Sequence, residues 1–264
     1  MWHHQQVKNR AVFALGLLFL SLASTVQAST VPQLVPKILA TYPHDKQAFT
    51  QGLVFHQGDL YESTGLYGRS SLRKVELTTG KVLQQQALDD NAFGEGLALV
   101  DQQLIQLTWQ QGRAFVYDLD RFIVKNVHSY QGQGWGLCFD GQDLWMSDGS
   151  ATLYRRDAQS FALLEQIVVQ LAEQPQAQLN DLACVGEHIY ANIWKEPRLV
   201  KINKYSGNIA AEIDASELVA RSGRPRDGEA VLNGITYDEH TKAFYVTGKL
   251  WPKLFKVIWQ ERQP

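Results

Sequence analysis

The pentapeptide Phe49-Thr50-Gln51-Gly52-Leu53 returns 44 residues later as Phe93-Gly94-Glu95-Gly96-Leu97. Its last three positions have counterparts in three further phrases, Trp135-Gly136-Leu137, Asn180-Asp181-Leu182 and Asn233-Gly234-Ile235. The spacings between the five phrases are 44, 40, 45 and 53 residues. A period of roughly 40–50 residues indicates a fold that is built from repeated units.

Each phrase opens a unit of short β-prone runs that are separated by turns. In the first unit the second run is Leu60-Tyr61-Glu62-Ser63, and the third and fourth runs are 72–77 and 81–86. The same order recurs in the next three units. Four strands at this period are typical of a propeller blade, so we predict an all-β fold, a five-bladed β-propeller of four-stranded blades.

The fifth unit ends at Pro264, directly after its third run (254–258), and lacks a fourth strand. The stretch 36–41 precedes the first unit and has no other assignment. Pairing this stretch with the last unit would remove two exposed sheet edges, so we predict that an N-terminal strand closes the ring. A β-sandwich would leave the five phrases unexplained, and only 170–178 and 215–220 have a helical pattern.

The first 28 residues have the features of a cleavable secretion signal. Lys8 and Arg10 precede an apolar run (11–23), and Val26-Gln27-Ala28 places small residues where signal peptidase reads. We predict cleavage before Ser29, export to the periplasm or the medium, and one propeller domain over 29–264. An uncleaved anchor is the alternative, but the apolar run is short for a membrane span.

The net charge of the chain limits the classes of molecule that it is expected to bind. Without residues 1–28 the chain has 236 residues, with 23 Lys and Arg against 27 Asp and Glu, a net charge of −4. Because the sequence shows no basic patch, we expect neither nucleic acid nor a membrane as a partner after cleavage. We expect a monomer.

In a propeller, the starts of the first strands and the ends of the second strands meet at one mouth of the central channel. The five starts are Gln51, Glu95, Trp135, Asn180 and Asn233, and the five ends are Gly65, Trp109, Gly149, Trp194 and Lys249. Phe49 and Phe93 lie two positions before Gln51 and Glu95 and share their pleat parity. This mixture of aromatic, amide and charged groups predicts a small pocket with apolar walls and a few orienting polar groups.

Glu95 is the only acid among these positions and is therefore the candidate general acid–base. Burial beside aromatic rings should raise its pKa, and Lys249 should lower it. Lys249 is suited to stabilising an oxyanion, and the amides of Gln51 and Asn180 both donate and accept hydrogen bonds. Structural alternatives stay open: a glutamate bonded to backbone amides, a salt bridge of Lys249 to Glu95 or to a loop, and amides that bond between blades.

Other chemistries have less support. The five histidines after residue 28 form no metal-ligand pair and occupy no position at the mouth, which disfavours a zinc site. Cys138 and Cys184 lie in adjacent blades, three and four residues past the aligned starts, so their opposite parity predicts two free, buried thiols. The long connection 215–230 crosses the same mouth, and we interpret it as solvated loop.

Longer strings carry a resemblance to a known family. They are Phe49-Thr50-Gln51-Gly52-Leu53, Glu62-Ser63-Thr64-Gly65-Leu66-Tyr67-Gly68, Phe93-Gly94-Glu95-Gly96-Leu97, Trp135-Gly136-Leu137, Leu179-Asn180, Ala191-Asn192-Ile193-Trp194, Leu232-Asn233-Gly234-Ile235 and Val246-Thr247-Gly248-Lys249-Leu250-Trp251-Pro252. From about Tyr42 to the C-terminus, the chain closely resembles the plant and bacterial glutaminyl-peptide cyclotransferases.

The resemblance implies a five-bladed propeller that converts the N-terminal glutamine of peptides or proteins to pyroglutamate and releases ammonia. It places the acid–base on Glu95, the family's lysine on Lys249, and the pocket on Phe49, Gln51, Phe93, Trp135, Asn180 and Trp194, to which the strand-end pattern adds Trp109. No cofactor is required; a structural calcium ion in the channel is an analogy that this sequence does not demand.

Two other functions compete with this interpretation. A non-catalytic propeller that binds peptide N-termini or sugars would keep the tryptophans but would not need Glu95. A metal-dependent lactonase-like propeller would need more than one carboxylate at the mouth, and Lys249 would oppose a bound cation.

Overall fold

The structure, a computed structural model, describes residues 1–2 and 31–262, so the predicted leader lies almost wholly outside the described residues. Over 31–262 the chain forms twenty-two strands and one short helix, and the first strand is β1 (Gln33–Pro43). The fold is all-β, as the sequence predicts, and it contains three four-stranded blades and one eight-stranded sheet.

The three blades have the same construction, with antiparallel strands that pair in chain order. The first blade consists of β2 (Thr50–His56), β3 (Asp59–Thr64), β4 (Ser71–Glu76) and β5 (Val82–Ala87). The second consists of β6 (Gly94–Val100), β7 (Gln103–Thr108), β8 (Arg113–Asp118) and β9 (Val124–Ser129). The third consists of β10 (Leu137–Phe139), β11 (Asp143–Ser147), β12 (Thr152–Asp157) and β13 (Leu163–Val168). The short turns between strands dictate this order.

The segment after the third blade is a hairpin, and the helical prediction for 170–178 is wrong. β14 (Gln170–Leu171) pairs with β15 (Gln174–Pro175). Ala172 and Glu173 between them have φ values of 48° and 67°, and positive φ at both central residues matches the twist of a two-residue hairpin loop. Pro175 also lacks the N–H that a helix would need at that point.

The eight-stranded sheet has two halves. One half contains β16 (Leu179–Val185), β17 (His188–Ile193), β18 (Arg198–Asn203) and β19 (Ile209–Asp214). The other contains β20 (Leu232–Asp238), β21 (Ala243–Gly248) and β22 (Lys253–Glu261). β1 lies between β19 and β22; it is antiparallel to β22 from Leu34↔Glu261 to Pro43↔Lys253 and parallel to β19 at two positions. The N-terminal strand therefore pairs with the last strand of the chain.

One helix, α1 (Ser216–Arg221), occupies the connection between β19 and β20. This confirms the helical pattern predicted at 215–220. Leu218 on α1 is fully buried, and it packs in a cluster with Trp251 and Phe255. Within the described residues no helix is long and apolar enough to cross a membrane.

The innermost strands approach one another closely at the central glycines of the repeated phrases. A Cβ on Gly52 would lie 2.5 Å from the Leu97 nitrogen, and a Cβ on Gly96 would lie 2.5 Å from the Leu137 nitrogen. Glycine is required at such backbone contacts because any side chain would collide. In the fourth phrase Asp181 takes this position, and its Oδ2 accepts the N–H of Ile235 at 2.9 Å.

Cys138 and Cys184 form a disulfide, which corrects the prediction of two free thiols. Their Cα atoms are 5.5 Å apart, within the range that a disulfide spans. The two cysteines do differ in parity along their strands, but this difference does not separate them in the fold. One face of each sheet packs against the opposite face of the next sheet. Trp145 of the third blade packs in this way in one cluster with Leu182 of the eight-stranded sheet. Residues of opposite parity therefore meet between two neighbouring sheets.

A buried ion pair ties the end of β1 to the first blade. The His44 ring contacts the Trp251 carbonyl oxygen through Nδ1 at 2.7 Å and Glu62 Oε1 through Nε2 at 3.0 Å. Thr50 Oγ1 donates to the same Glu62 oxygen at 2.7 Å. Burial opposes charge on both groups, but their mutual attraction and hydrogen bond outweigh it, so the pKa of His44 is raised and the pKa of Glu62 is lowered.

We predict that this pair stabilises the fold most between pH 4.5 and 6.5, the ordinary pKa values of the two groups. The raised pKa of His44 contributes stability that is complete below 6.5 and is lost as pH rises through its folded value. The lowered pKa of Glu62 contributes stability that is complete above 4.5 and is lost as pH falls through its folded value. Urea unfolding of the wild type and of His44→Asn from pH 4 to 9 measures the difference, about 3–5 kcal/mol at its maximum. A difference that does not vary with pH would refute the pairing.

Candidate active site

The predicted residues converge because strands begin and end at the same mouth. Gln51, Glu95 and Asn180 lie in the innermost strands β2, β6 and β16, near the start of each. Trp109, Trp194 and Lys249 directly follow the second strands β7, β17 and β21. The antiparallel pairing of first and second strands therefore brings the two sets to one end of the sheets.

These side chains enclose a pocket of about 280 Å³. This volume is at the low end of the roughly 300–1,000 Å³ that is typical of small-molecule sites, so it suits one small group. The pocket is lined by all nine residues that the sequence assigns to the site, together with two others: Phe49, Gln51, Leu66, Phe93, Glu95, Trp109, Trp135, Asn180, Trp194, Glu229 and Lys249.

Aromatic rings form the walls. The rings of Phe49 and Phe93 meet edge to face with centroids 6.1 Å apart. The Phe93 ring also contacts the Trp109 ring edge to face, with centroids 5.6 Å apart. The rings of Trp135 and Trp194 are 5.5 Å apart at an interplanar angle of 79°. Edge-to-face contacts of this kind are the favoured arrangement of aromatic pairs, so the rings support one another's orientation.

Two glycines make room for these walls. A Cβ on Gly65 would collide with the Phe93 ring, and a Cβ on Gly149 would lie 2.6 Å from Cζ2 of Trp135. Both are strand-end positions of the predicted mouth, but neither lines the pocket. Their contribution is the space that the absence of a side chain leaves for the two rings.

Glu95 is buried, with 4% of its surface exposed. Its Oε1 accepts a hydrogen bond from Gln51 Nε2 at 2.9 Å. Burial raises the pKa of Glu95 well above its ordinary value; the positive charge of Lys249 opposes this rise, and the nearby Asp181 carboxyl adds to it. A carboxyl group with a raised pKa in a pocket of this kind is a candidate general acid–base.

Lys249 is also buried, with 4% of its surface exposed, and its Nζ lies 4.6 Å from the centroid of the Phe49 ring. Burial lowers the pKa of Lys249, and the charge of Glu95 opposes this change. Among the described residues no carboxylate lies within 4.0 Å of Nζ, so the alternative of a direct salt bridge to Glu95 does not hold there. The ammonium group is held by an aromatic face and faces the pocket.

The two pocket amides differ in how their hydrogen bonds are satisfied. The Gln51 amide is bonded at both ends, by Nε2 to Glu95 and by Oε1 to Asn233 Nδ2 at 3.3 Å. Asn180 Oδ1 is buried and has no hydrogen-bond partner among the described residues. A buried acceptor without a partner is costly in a folded protein, so this atom is suited to a donor on a bound molecule.

Three residues in or beside the pocket were not predicted from the sequence to belong to the site. Leu66 follows Gly65 with a φ of 90°, and Glu229 belongs to the connection that was interpreted as solvated loop. Glu229 pairs with Lys195 at 3.0 Å across the mouth. Gln133 Oε1 accepts both indole N–H groups, from Trp109 at 2.7 Å and from Trp135 at 3.0 Å. All three lie in loops, where the five-fold repeat gives no signal.

Over residues 31–262 no group of three or more His, Cys, Asp and Glu side chains is placed to hold a metal ion. The pocket itself contains two carboxylates, Glu95 and Glu229, and the Lys249 ammonium. This donor set does not resemble a divalent-cation site, which collects several oxygen ligands.

We predict that Lys249→Met raises the pKa of Glu95 further. The variant removes the one positive charge that opposes the rise, and a nearby opposite charge lowers a carboxyl pKa by roughly 1–3 units. Infrared difference titration follows the carboxyl band, which the wild type shows and Glu95→Gln lacks. We expect an upward shift of about 1 unit in Lys249→Met, whereas Lys195→Met, on the exposed side of the mouth, should leave the band near its wild-type position. An unchanged titration in Lys249→Met would show that the two groups are not coupled.

Comparison with known proteins agrees with this geometry. Residues 11–258 match the glutamine cyclotransferase family. A glutaminyl-peptide cyclotransferase of Arabidopsis thaliana is 40% identical over 226 residues, which span 84% of this chain and 70% of the plant protein. The crystal structure of Myxococcus xanthus glutaminyl cyclase is similar with a TM-score of 0.84 and 38% identity, and the match covers 88% of this chain and 100% of that one.

The family match spans residues 11–258, which include every strand that contributes to the pocket. Nine of the eleven residues that line the pocket lie in the strings that carry the resemblance; Trp109 and Glu229 do not. This chain belongs to the glutamine cyclotransferase family.

Proposed function

We propose that this chain is a glutaminyl-peptide cyclotransferase, which converts the N-terminal glutamine of peptides and proteins to pyroglutamate and releases ammonia. The observation that carries the proposal is the buried Glu95 carboxyl, with a raised pKa, in an aromatic pocket that is sized for one side chain. The relatives at 38–40% identity bear the corresponding names.

The reaction is an intramolecular substitution. The substrate's α-amine attacks the carbonyl carbon of its own γ-carboxamide. The new carbon–nitrogen bond closes the ring, and the bond from the same carbon to the amide nitrogen breaks. An α-ammonium group has a pKa of roughly 7.7–8.0 and must lose its proton before it can attack. Glu95 takes a proton from the amine and delivers it to the departing nitrogen, so ammonia leaves and Glu95 returns to its starting state.

The polar groups of the pocket have complementary roles in this reaction. Lys249 stabilises the negative charge that develops on the γ-carbonyl oxygen, because its ammonium is buried where a charge interaction is strong. The Asn180 Oδ1 atom, which lacks a partner, accepts a hydrogen bond from the substrate's amide or amine. Gln51 holds the Glu95 carboxylate through the 2.9 Å hydrogen bond.

The aromatic walls supply positioning. Phe49, Phe93, Trp109, Trp135 and Trp194 exclude water and hold the glutamine side chain folded toward its own amine. Because the product is a ring, holding the amine near the carbonyl carbon accounts for a large part of the acceleration. The small volume favours the compact folded side chain over longer ones.

A Gln-initiated peptide tests the proposal through ammonia release and a mass loss of about 17 Da, measured with a chelator present. We expect turnover by the wild type and a fall of about 100-fold or more in Glu95→Gln, within the range for removal of a general acid–base. Glu187→Gln, the same substitution at an exposed turn, is the matched control and should retain wild-type activity.

Three results would contradict the proposal in different ways. Binding of the peptide by the wild type without any mass change would leave a recognition module rather than an enzyme. Full activity of folded Glu95→Gln would move the acid–base to another group. Loss of activity with the chelator alone would favour the metal-dependent alternative.

The finer architecture is also a proposal. We propose that the two halves of the eight-stranded sheet are the fourth and fifth of five blades, and that β1 completes the fifth blade and closes the ring. The pairing of β1 with β22 supports this assignment. A crystal structure of the chain tests the number of blades directly.

We propose that residues 1–28 are a cleaved leader and that the enzyme acts outside the cytoplasm. Support comes from the sequence pattern of Lys8, Arg10, the apolar run and Val26-Gln27-Ala28, and from the disulfide between Cys138 and Cys184, a bond that is typical of exported proteins. N-terminal sequencing of the protein from a native host should begin at Ser29. A chain that retains residues 1–28 would refute the cleavage.

A further inference from the structure

Asn233 lies in β20, is fully buried, and does not line the pocket. Its Nδ2 donates to the backbone carbonyl oxygen of Thr50 at 3.0 Å, and the same group reaches Gln51 Oε1 at 3.3 Å. Its Oδ1 accepts the N–H of Asp181 at 3.5 Å, a long hydrogen bond. The side chain thus bridges β20 to the first residues of β2, beside the pocket.

These contacts determine which end of the Gln51 amide faces Glu95. A backbone carbonyl only accepts, so the Thr50 oxygen requires the NH2 end of Asn233 at that point. The neighbouring atom of Gln51 must then be its carbonyl oxygen. The NH2 of Gln51 consequently points to Glu95, where it donates at 2.9 Å.

A free carboxamide has two orientations that differ by a rotation of 180°. In the other orientation, Gln51 would present its oxygen to a Glu95 oxygen, and two acceptors would face each other when Glu95 is ionised. A hydrogen bond to the charged form of an acid favours that form and lowers its pKa. The orientation of Gln51 therefore bears on how readily Glu95 gives up its proton.

We propose that Asn233 is a positioning residue for the acid–base: it fixes the Gln51 amide so that its NH2 stabilises the Glu95 carboxylate. This role rests on the proposed function, in which Glu95 must be ionised in order to accept a proton. The order of contacts runs from the Thr50 carbonyl through Asn233 and Gln51 to Glu95. Asn233 does not line the pocket, so it acts through Gln51.

The variant Asn233→Leu tests this chain of contacts, because leucine has the shape of asparagine and no donor. We expect the pKa of Glu95 to rise by about one unit, since the Gln51 donor is no longer held in place. The acid limb of the pH profile of kcat/KM should move upward by the same amount, and kcat should fall more than KM rises.

Asn192→Leu is the matched control. Asn192 is also fully buried, and its Oδ1 accepts the N–H of Gly234 at 3.3 Å, next to Asn233. Among the described residues it makes no hydrogen bond to Gln51 or Glu95. Loss of this amide should lower the stability to a similar degree without moving the titration of Glu95, which separates a structural effect from a positioning effect.

Infrared titration of the Glu95 carboxyl band keeps the inference apart from the proposed function, because it requires no turnover. A wild type that does not cyclise a Gln-initiated peptide refutes the function, while the titration still decides the role of Asn233. A folded Asn233→Leu with the wild-type Glu95 titration overturns the inference. If Asn233→Leu does not fold, Asn233→Ser replaces it: its hydroxyl is too short to hold both oxygens, and the shift should have the same sign.

Discussion

The innermost strands of neighbouring sheets lie in backbone contact, and the rest of the site depends on this proximity. Gly52 and Gly96 have no room for a Cβ, and the Gly96 N–H donates to the Trp135 carbonyl oxygen at 2.7 Å. Because the strands are so close, side chains at their starts are forced into a space of about 280 Å³.

The same crowding determines the electrostatics. A carboxyl group and an ammonium group, Glu95 and Lys249, are both withdrawn from water, and burial moves both pKa values toward the neutral forms. Each charge partly opposes the effect of burial on the other. Glu95 also accepts a hydrogen bond from the Gln51 amide, and it makes no direct ion pair with Lys249. Buried groups whose pKa values are shifted in this way are candidates for proton transfer.

The repeat made much of this structure predictable. The recurring phrases predicted the four-stranded blades and the two sets of strand ends. These sets contained Glu95, Lys249 and the three tryptophans of the walls, and pleat parity added Phe49 and Phe93. Features outside the repeat were not predictable in the same way: Glu229 and Gln133 lie in loops, and the 170–178 turn has positive φ without glycine. The disulfide was missed because the packing of one sheet on the next is a tertiary property that parity within a strand does not contain.

β1 is made first and finds its main partner last. It pairs along most of its length with β22. Leu34, for example, cannot pair until Glu261 has been synthesised. A ribosome that adds roughly 5–20 residues per second needs many seconds to supply that partner. Until then β1 has exposed edges, and the last half-sheet is incomplete. The docking of β1 on β22 is therefore a late step, and a chain cut before β22 would leave β1 without its main partner.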